Sequence, residues 1–154
     1  MRTVAVVGAS LAGLSAARSL RQRGYDGRLV VVGDEPHRPY DRPPLSKEFL
    51  AGTLGEADLA LERDDEELGA EWLLGARATG LDRTARAVRL ADGREVRADG
   101  VVIATGAAAR TLPGTEGLAG VHTLRTLDDA RGGRAGQARG GRRGGLGGGV
   151  GGGG

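Results

Sequence analysis

The sequence predicts an α/β domain built on a parallel sheet, and three observations carry that prediction. Arg2 to Val7 is a short, β-branched, apolar run ending at Gly8, as suits a strand buried on both faces. From Leu11 to Arg23 the apolar residues Leu11, Leu14, Ala17 and Leu20 recur at helical spacing, and Gly24 follows as a stop. Arg28 to Val32 is a second apolar strand, closed by Gly33, Asp34 and Glu35. Strand, glycine turn, helix and strand in that order make a βαβ unit with a right-handed crossover.

Residues 36–47 hold four prolines, Pro36, Pro39, Pro43 and Pro44. Proline fixes φ and removes a backbone donor, so this connection is expected to be ordered but irregular. Ser46 is placed to cap a short helix from Lys47 towards Ala51. The acidic stretch 62–70 reads as a helix leading into a strand around Glu71–Leu74. Val88 and Leu90 then alternate with polar residues over Ala85–Leu90, Asp92-Gly93 supplies a tight turn, and Arg94–Val96 returns. That is a β-hairpin or meander inserted into the parallel sheet. Gly100 to Thr105 is a further apolar strand, again ending in glycine, Gly106.

After Arg131 the character changes. Fourteen of the last 23 residues are glycine, with scattered arginines and almost no apolar side chains. Such a stretch buries too little surface to offset its ordering entropy. The reading is therefore a foldable part over residues 1–131 and a disordered, Gly/Arg-rich tail over 132–154.

Composition narrows the function classes. The net charge of +2 hides an asymmetry, because residues 131–154 hold five arginines and no acid. The pI of about 9.6 is thus largely a property of the tail. The chain has no cysteine, which excludes a disulfide, a thiolate-bound metal and a redox dithiol. His37 and His122 lie far apart without metal-ligand spacing, so no metal site is expected. No apolar run approaches the roughly 18 residues of a membrane span, and no secretory signal opens the chain. The expectation is a cytoplasmic protein with no membrane partner.

The chemistry sits in Val4–Gly13. Gly8 allows the sharp turn out of the strand, and Gly13 lets the helix pack closely on the sheet. The helix start, at Ser10, Leu11 and Ala12, would offer backbone N–H groups and a positive dipole end to a pyrophosphate. The middle glycine of the usual pattern is replaced by Ser10. Asp34 and Glu35 lie 21 and 22 residues after Gly13, where an acid holds a ribose hydroxyl. Together these features mark a dinucleotide site rather than a tight turn alone.

The run Val32-Gly-Asp-Glu-Pro-His-Arg-Pro-Tyr40-Asp-Arg-Pro-Pro44-Leu-Ser-Lys47 resembles a stretch of the FAD-dependent ferredoxin reductase family, the putidaredoxin-reductase-like and apoptosis-inducing-factor-like oxidoreductases. Ala104-Thr-Gly106 and Leu124-Arg125-Thr-Leu-Asp-Asp-Ala130 match as well, and the resemblance covers about residues 3–131. It implies a Rossmann-like FAD-binding domain in which NAD(P)H reduces FAD and electrons leave singly to an iron–sulfur, ferredoxin-type acceptor. It also implies roles for individual residues. Ala12 and its neighbours Ser10 and Leu11 would contact the pyrophosphate. Asp34 or Glu35 would hold the adenosine ribose, and the Ala78 backbone would meet the adenine. Thr105 and Gly106 would border the cofactor, and Arg125 would reach it. Arg42 and Lys47 would line the flavin end, with Lys47 nearest the ring and so the one candidate catalytic residue.

Simpler roles stand beside these. Lys47 also reads, as the lesser alternative, as a first-turn helix lysine, Arg125 as a solvated arginine, His37 and Tyr40 as loop packing, and Trp72 as core. A complete enzyme of the family is well over twice this length. It carries a second glycine fingerprint for NAD(P)H, a returning segment and a C-terminal domain. Gly147-Gly-Gly149-Val-Gly-Gly152 matches that fingerprint only by composition, and the break at Arg131–Gly132 reads as a frameshifted or truncated chain. Three alternatives remain: a non-catalytic nucleotide-binding fragment, RNA binding through the RGG-like Arg139 and Arg143 segments, and a NAD(P)-binding reductase using the single fingerprint, against which the proline-rich Tyr40–Lys47 motif argues. The second is disfavoured by only five positive charges and no aromatic residue over residues 131–154.

Overall fold

Apolar β-branched runs bounded by glycine form the centre of the fold. β1 (Thr3–Val7) and β2 (Arg28–Val32) lie side by side and parallel, in register from Thr3 with Arg28 to Val7 with Val32. β3 (Ala70–Leu73) extends the sheet beyond β2, and β7 (Gly100–Ile103) pairs with the other edge of β1. The order is therefore β3-β2-β1-β7, all parallel. The structure is a computed structural model describing residues 1–63, 66–115 and 117–140. It divides into two units. Met1–Asp41 with Leu59–Ala108 form the first, and Arg42–Asp58 with the chain from Ala109 form the second.

In the first unit, the two-residue period of the strands sorts their side chains onto two faces. Val4, Val6, Leu29 and Val31 pack with Leu14 and Ala17 of α1 (Leu11–Gln22), and with Leu68. Ala5, Val7, Val30 and Val32 pack instead with Ala76, Val88, Leu90, Val96 and Ala98. That second cover is a three-stranded antiparallel meander of β4 (Ala78–Asp82), β5 (Ala87–Leu90) and β6 (Glu95–Arg97). Asp92-Gly93 makes the β5–β6 turn, as the sequence indicates. β4 is an addition to the expected hairpin. Trp72 is only half-buried, packed at the rim of the α1-side core with the Arg38 guanidinium 4.3 Å over its ring.

The helix expected over 62–70 is absent: residues 62–63 and 66–69 are not helical. Two arginines of α1 hold this stretch open instead. Arg18 donates to both carboxylate oxygens of Glu66, at 2.5 Å each, and to the Leu61 carbonyl. Arg21 donates to the carbonyls of Leu68 and Gly69. Hydrogen bonds to tertiary donors replace the helical ladder, and the repelling acidic neighbours have no reason to stack.

In the second unit, Pro43 and Pro44 open a 3-10 helix over Pro43–Ser46, their fixed φ suiting its first turn. Residues 43–46 are thus regular where irregular chain was expected. Ser46 belongs to this turn, and Lys47 takes the N-cap of α2 (Glu48–Ala51) with no side-chain capping bond. Gly52, at φ +83°, ends α2 in the left-handed region.

α3 (Leu127–Gly140) starts from a capping box. The Asp129 N–H donates to the Thr126 hydroxyl, and the Asp129 carboxylate accepts from the N–H groups of Thr126 and Arg125. Burial alone would raise the Asp129 carboxyl, but these donors hold it below its ordinary value. α3 crosses residue 131, where the sequence placed the end of order, and continues through Gly140. Tertiary contacts explain the difference, since Arg131 reaches Glu56 and Arg134 lies 5.0 Å over the Phe49 ring. The rest of the expected tail, 141–154, lies outside the described residues.

Candidate functional site

The carboxyl ends of β1, β2 and β7 meet the start of α1 at a knot of close backbone approaches. Gly8 has φ +122° and donates its N–H to the Val32 carbonyl at 2.8 Å. A β-carbon on Gly8 would lie 2.0 Å from the Ala104 carbonyl oxygen, and one on Gly13 would lie 1.8 Å from that of Gly8. Gly33 belongs to the same knot, because its β-carbon would meet that of Ala9 at 2.5 Å. In the sequence Gly33 marks only the end of a strand. Its place immediately after β2, facing the fingerprint turn, was the available signal.

Ser10 is the N-cap of α1, in an extended conformation, and its side chain makes no capping bond to the helix. The first intrahelical bond runs from the Leu14 N–H to the Ser10 carbonyl at 2.9 Å. The amides of Leu11, Ala12 and Gly13 therefore precede the ladder. Leu11 and Ala12 are exposed, and no acidic residue occupies the first turn. An anion placed here would meet three N–H groups and the positive end of the helix dipole.

The two candidate acids differ in what they touch. Asp34 is exposed, with the Arg77 guanidinium 3.9 Å away. Glu35 is half-buried and accepts the Tyr40 hydroxyl proton at 2.5 Å, while its carbonyl accepts the Gly75 N–H. Tyr40 is itself buried, bridged to Ala60, with His37 edge-on at 6.2 Å. Ala78 opens β4 directly after Arg77, opposite Leu90. Thr105 and Gly106 follow β7 and are exposed.

Arg42, Lys47 and Arg125 belong to the second unit. The Arg42 Nη1 donates to the Arg125 carbonyl at 2.8 Å, which joins two of the three. Lys47 stands at the junction of the 3-10 helix and α2. Its N–H donates to the Pro44 carbonyl, its carbonyl accepts the Ala51 N–H, and its side chain is exposed. It is also the single lysine in the sequence.

Among the described residues no group of three or more His, Cys, Asp or Glu could hold a metal ion. No helix there is long and apolar enough to cross a membrane. The Gly147–Gly152 pattern and the Arg143 segment lie outside the described residues.

The profile of the pyridine nucleotide-disulphide oxidoreductase family matches residues 2–153. The ferredoxin reductase component of chlorobenzene dioxygenase from Cupriavidus sp. (strain PS12) is 47% identical over 131 residues, 83% of this chain and 32% of the relative. The ferredoxin–NAD(+) reductase subunit of the benzene 1,2-dioxygenase system of Pseudomonas putida is 44% identical over 131 residues, with the same coverage. Among solved structures, the covalent putidaredoxin reductase–putidaredoxin complex superposes with a TM-score of 0.80 at 37% identity. The match takes in 87% of this chain and 34% of that one. The chain thus spans about a third of the length of the relatives it matches.

Proposed function

Because this chain belongs to the pyridine nucleotide-disulphide oxidoreductase family, we propose that it binds FAD and serves a ferredoxin reductase. Bound FAD would accept a hydride from NAD(P)H and release the two electrons one at a time to an iron–sulfur protein of ferredoxin type. The residues present fit the cofactor. Gly8 and Gly13 leave a cradle that a β-carbon would fill, and the amides of Leu11, Ala12 and Gly13 suit the pyrophosphate.

Asp34 is the better ribose acid, since its carboxylate is open to solvent. Glu35 is engaged by Tyr40 and serves to hold the proline-rich loop. The Ala78 backbone, Thr105 and Gly106 are assigned to the adenosine and pyrophosphate portions. The second unit's Arg42, Lys47 and Arg125 are assigned to the flavin end, with Lys47 the group nearest its chemistry.

The absence of cysteine from the sequence means that this chain supplies no dithiol relay of its own. Electrons would pass from the flavin directly to the acceptor, in keeping with the ferredoxin reductase activity in the names of the two dioxygenase relatives. The cytoplasm is the compartment consistent with such a partner.

The backbone knot at Gly8 and Gly13 carries the reading. Its test is the visible spectrum of the purified chain after incubation with FAD and gel filtration. Absorption bands at roughly 370 and 450 nm, general for flavin, should travel with the protein. Colourless protein would overturn FAD binding, and retention of NAD in place of FAD would reassign the site.

A further inference from the structure

Lys47 is held by very little of its own helix. α2 has four residues, far below the length at which a helix sustains itself in water. Its backbone at Lys47, φ −126° and ψ −105°, belongs to neither the 3-10 helix before it nor the α-helix after it. What fixes this turn is α3. Arg131 donates to both oxygens of Glu56, from Nε at 2.7 Å and from Nη2 at 2.5 Å, and Nη1 reaches Asp128 at 2.8 Å.

One turn further along α3, Arg134 lies over Phe49, and Gly133 approaches Leu50 so closely that a β-carbon there would sit 3.3 Å from its Cδ1. At the other end of the segment, Arg42 is tied to the Arg125 carbonyl just before α3 begins. The stretch from Arg42 to Glu56 is therefore fastened to α3 at both ends, with Lys47 between the fastenings.

We propose that Arg131, acting through Glu56, is a positioning residue for Lys47: α3 clamps the one-turn helix and so sets how the lysine ammonium meets the flavin end of FAD. This rests on the FAD-binding reading for its ligand, but the clamp itself is a property of the chain alone. A bidentate guanidinium–carboxylate pair fixes direction as well as distance. Lysine at position 131 keeps the charge and loses that fork.

The clamp is tested first without ligand, in the full chain carrying Glu56→Gln or Arg131→Gln. The Ala51 N–H donates to the Lys47 carbonyl, so its hydrogen exchange reports the turn at Lys47. Exchange at Ala51 should quicken about threefold to fivefold in either variant, the scale of one solvent-exposed ion pair, with the amides of β1 and β2 unchanged. Unchanged exchange at Ala51 overturns the clamp, whether or not the protein binds FAD.

The functional half is read as the ratio of FAD to ADP affinity, because ADP probes the fingerprint alone. Glu56→Gln and Arg131→Gln should lower that ratio by about the same factor while leaving ADP affinity as it was, and Arg131→Lys should restore it in part. The single lysine makes a footprint possible as well: FAD should shield Lys47 from acylation by an amine-reactive ester less well in the variants. An unaltered ratio and footprint overturn the positioning role. Failure of the unsubstituted chain to bind either nucleotide overturns the FAD reading instead, and leaves the exchange result to decide the clamp.

Discussion

Gly13 sits so close to Gly8 that a β-carbon on Gly13 would lie 1.8 Å from the Gly8 carbonyl oxygen. Nothing flexible stands between them, since both partners are backbone. Gly13→Ala should therefore push α1 off the sheet, costing about 1–3 kcal/mol of stability and abolishing flavin retention. Thermal unfolding and the absorbance that co-elutes with protein at about 450 nm, a flavin band, measure the two effects. Retained flavin in this variant would show that the nucleotide lies elsewhere.

Asp34 and Glu35 are adjacent yet should fail differently. Asp34→Asn removes an exposed acceptor, and should weaken FAD about tenfold, the size of one charge-assisted hydrogen bond, without moving the melting temperature. Glu35→Gln weakens the tie to Tyr40 and should cost about 1 kcal/mol of stability with a smaller change in affinity. Titration calorimetry beside thermal melts separates them, and reversed effects would exchange their roles.

The pair between Arg18 and Glu66 gives a pH signature. The Arg18 hydrogen bonds hold the Glu66 carboxyl below its ordinary value, against burial, which raises it. A depressed folded value means stability that is present above the unfolded pKa, about 4.3 for glutamate, and lost as pH falls through the folded value. Glu66→Gln should cost about 1–2 kcal/mol near neutral pH. It should also flatten the acid limb of stability against pH, as denaturant melts between about pH 3 and 7 would show.

Asp99 acts on the first strand in the same sense. Its carboxylate accepts the N–H groups of Thr3, at 2.9 Å, and Arg2, at 2.7 Å, and these donors hold it below the usual carboxylate range. This tie is complete above that range and loosens as pH falls through the depressed value. Asp99→Ala should speed amide exchange at Thr3 while the middle of β1 stays protected. Equal exchange in both proteins would remove Asp99 from this role.

What could be read from sequence follows from how locally each element is specified. β1, α1 and β2 are runs whose own residues fill both faces of the sheet, with glycines at their ends, so their pattern and their structure coincide. β4 has no such pattern. Ala78-Thr-Gly-Leu-Asp82 becomes a strand by pairing with β5, Leu81 against Val88 and Asp82 against Ala87. The acidic stretch 62–70 reads as a helix by composition, but Arg18 and Arg21 hold its described residues open from another element.

α3 fails in the opposite direction. Its glycines argue against a helix, while the Thr126–Asp129 box and the reach of Arg131 and Arg134 sustain one. Around the candidate site, the turn at Gly8, the close approach of Gly13 and the place of Asp34 and Glu35 just after β2 were legible, because their spacing is fixed by one βαβ unit. Gly33 was legible only in its place after β2; its close approach to Ala9 is a contact that no spacing encodes. The proposed choice of Asp34 over Glu35 likewise rests on the position of Tyr40, which engages Glu35.

The placement of β1 has a consequence for how the chain is born. Val4 pairs with Leu29 on one side and with Gly100 on the other. The first partner leaves the ribosome soon after β1; the second, Gly100, follows 71 residues after Leu29. Until then β1 carries a bare edge of valines, and the closing step must wait for a contact distant in sequence, which makes it slow. Such an edge invites pairing with other nascent chains. Yield in cells should therefore depend on growth temperature and translation rate more steeply than the stability of the finished sheet would suggest.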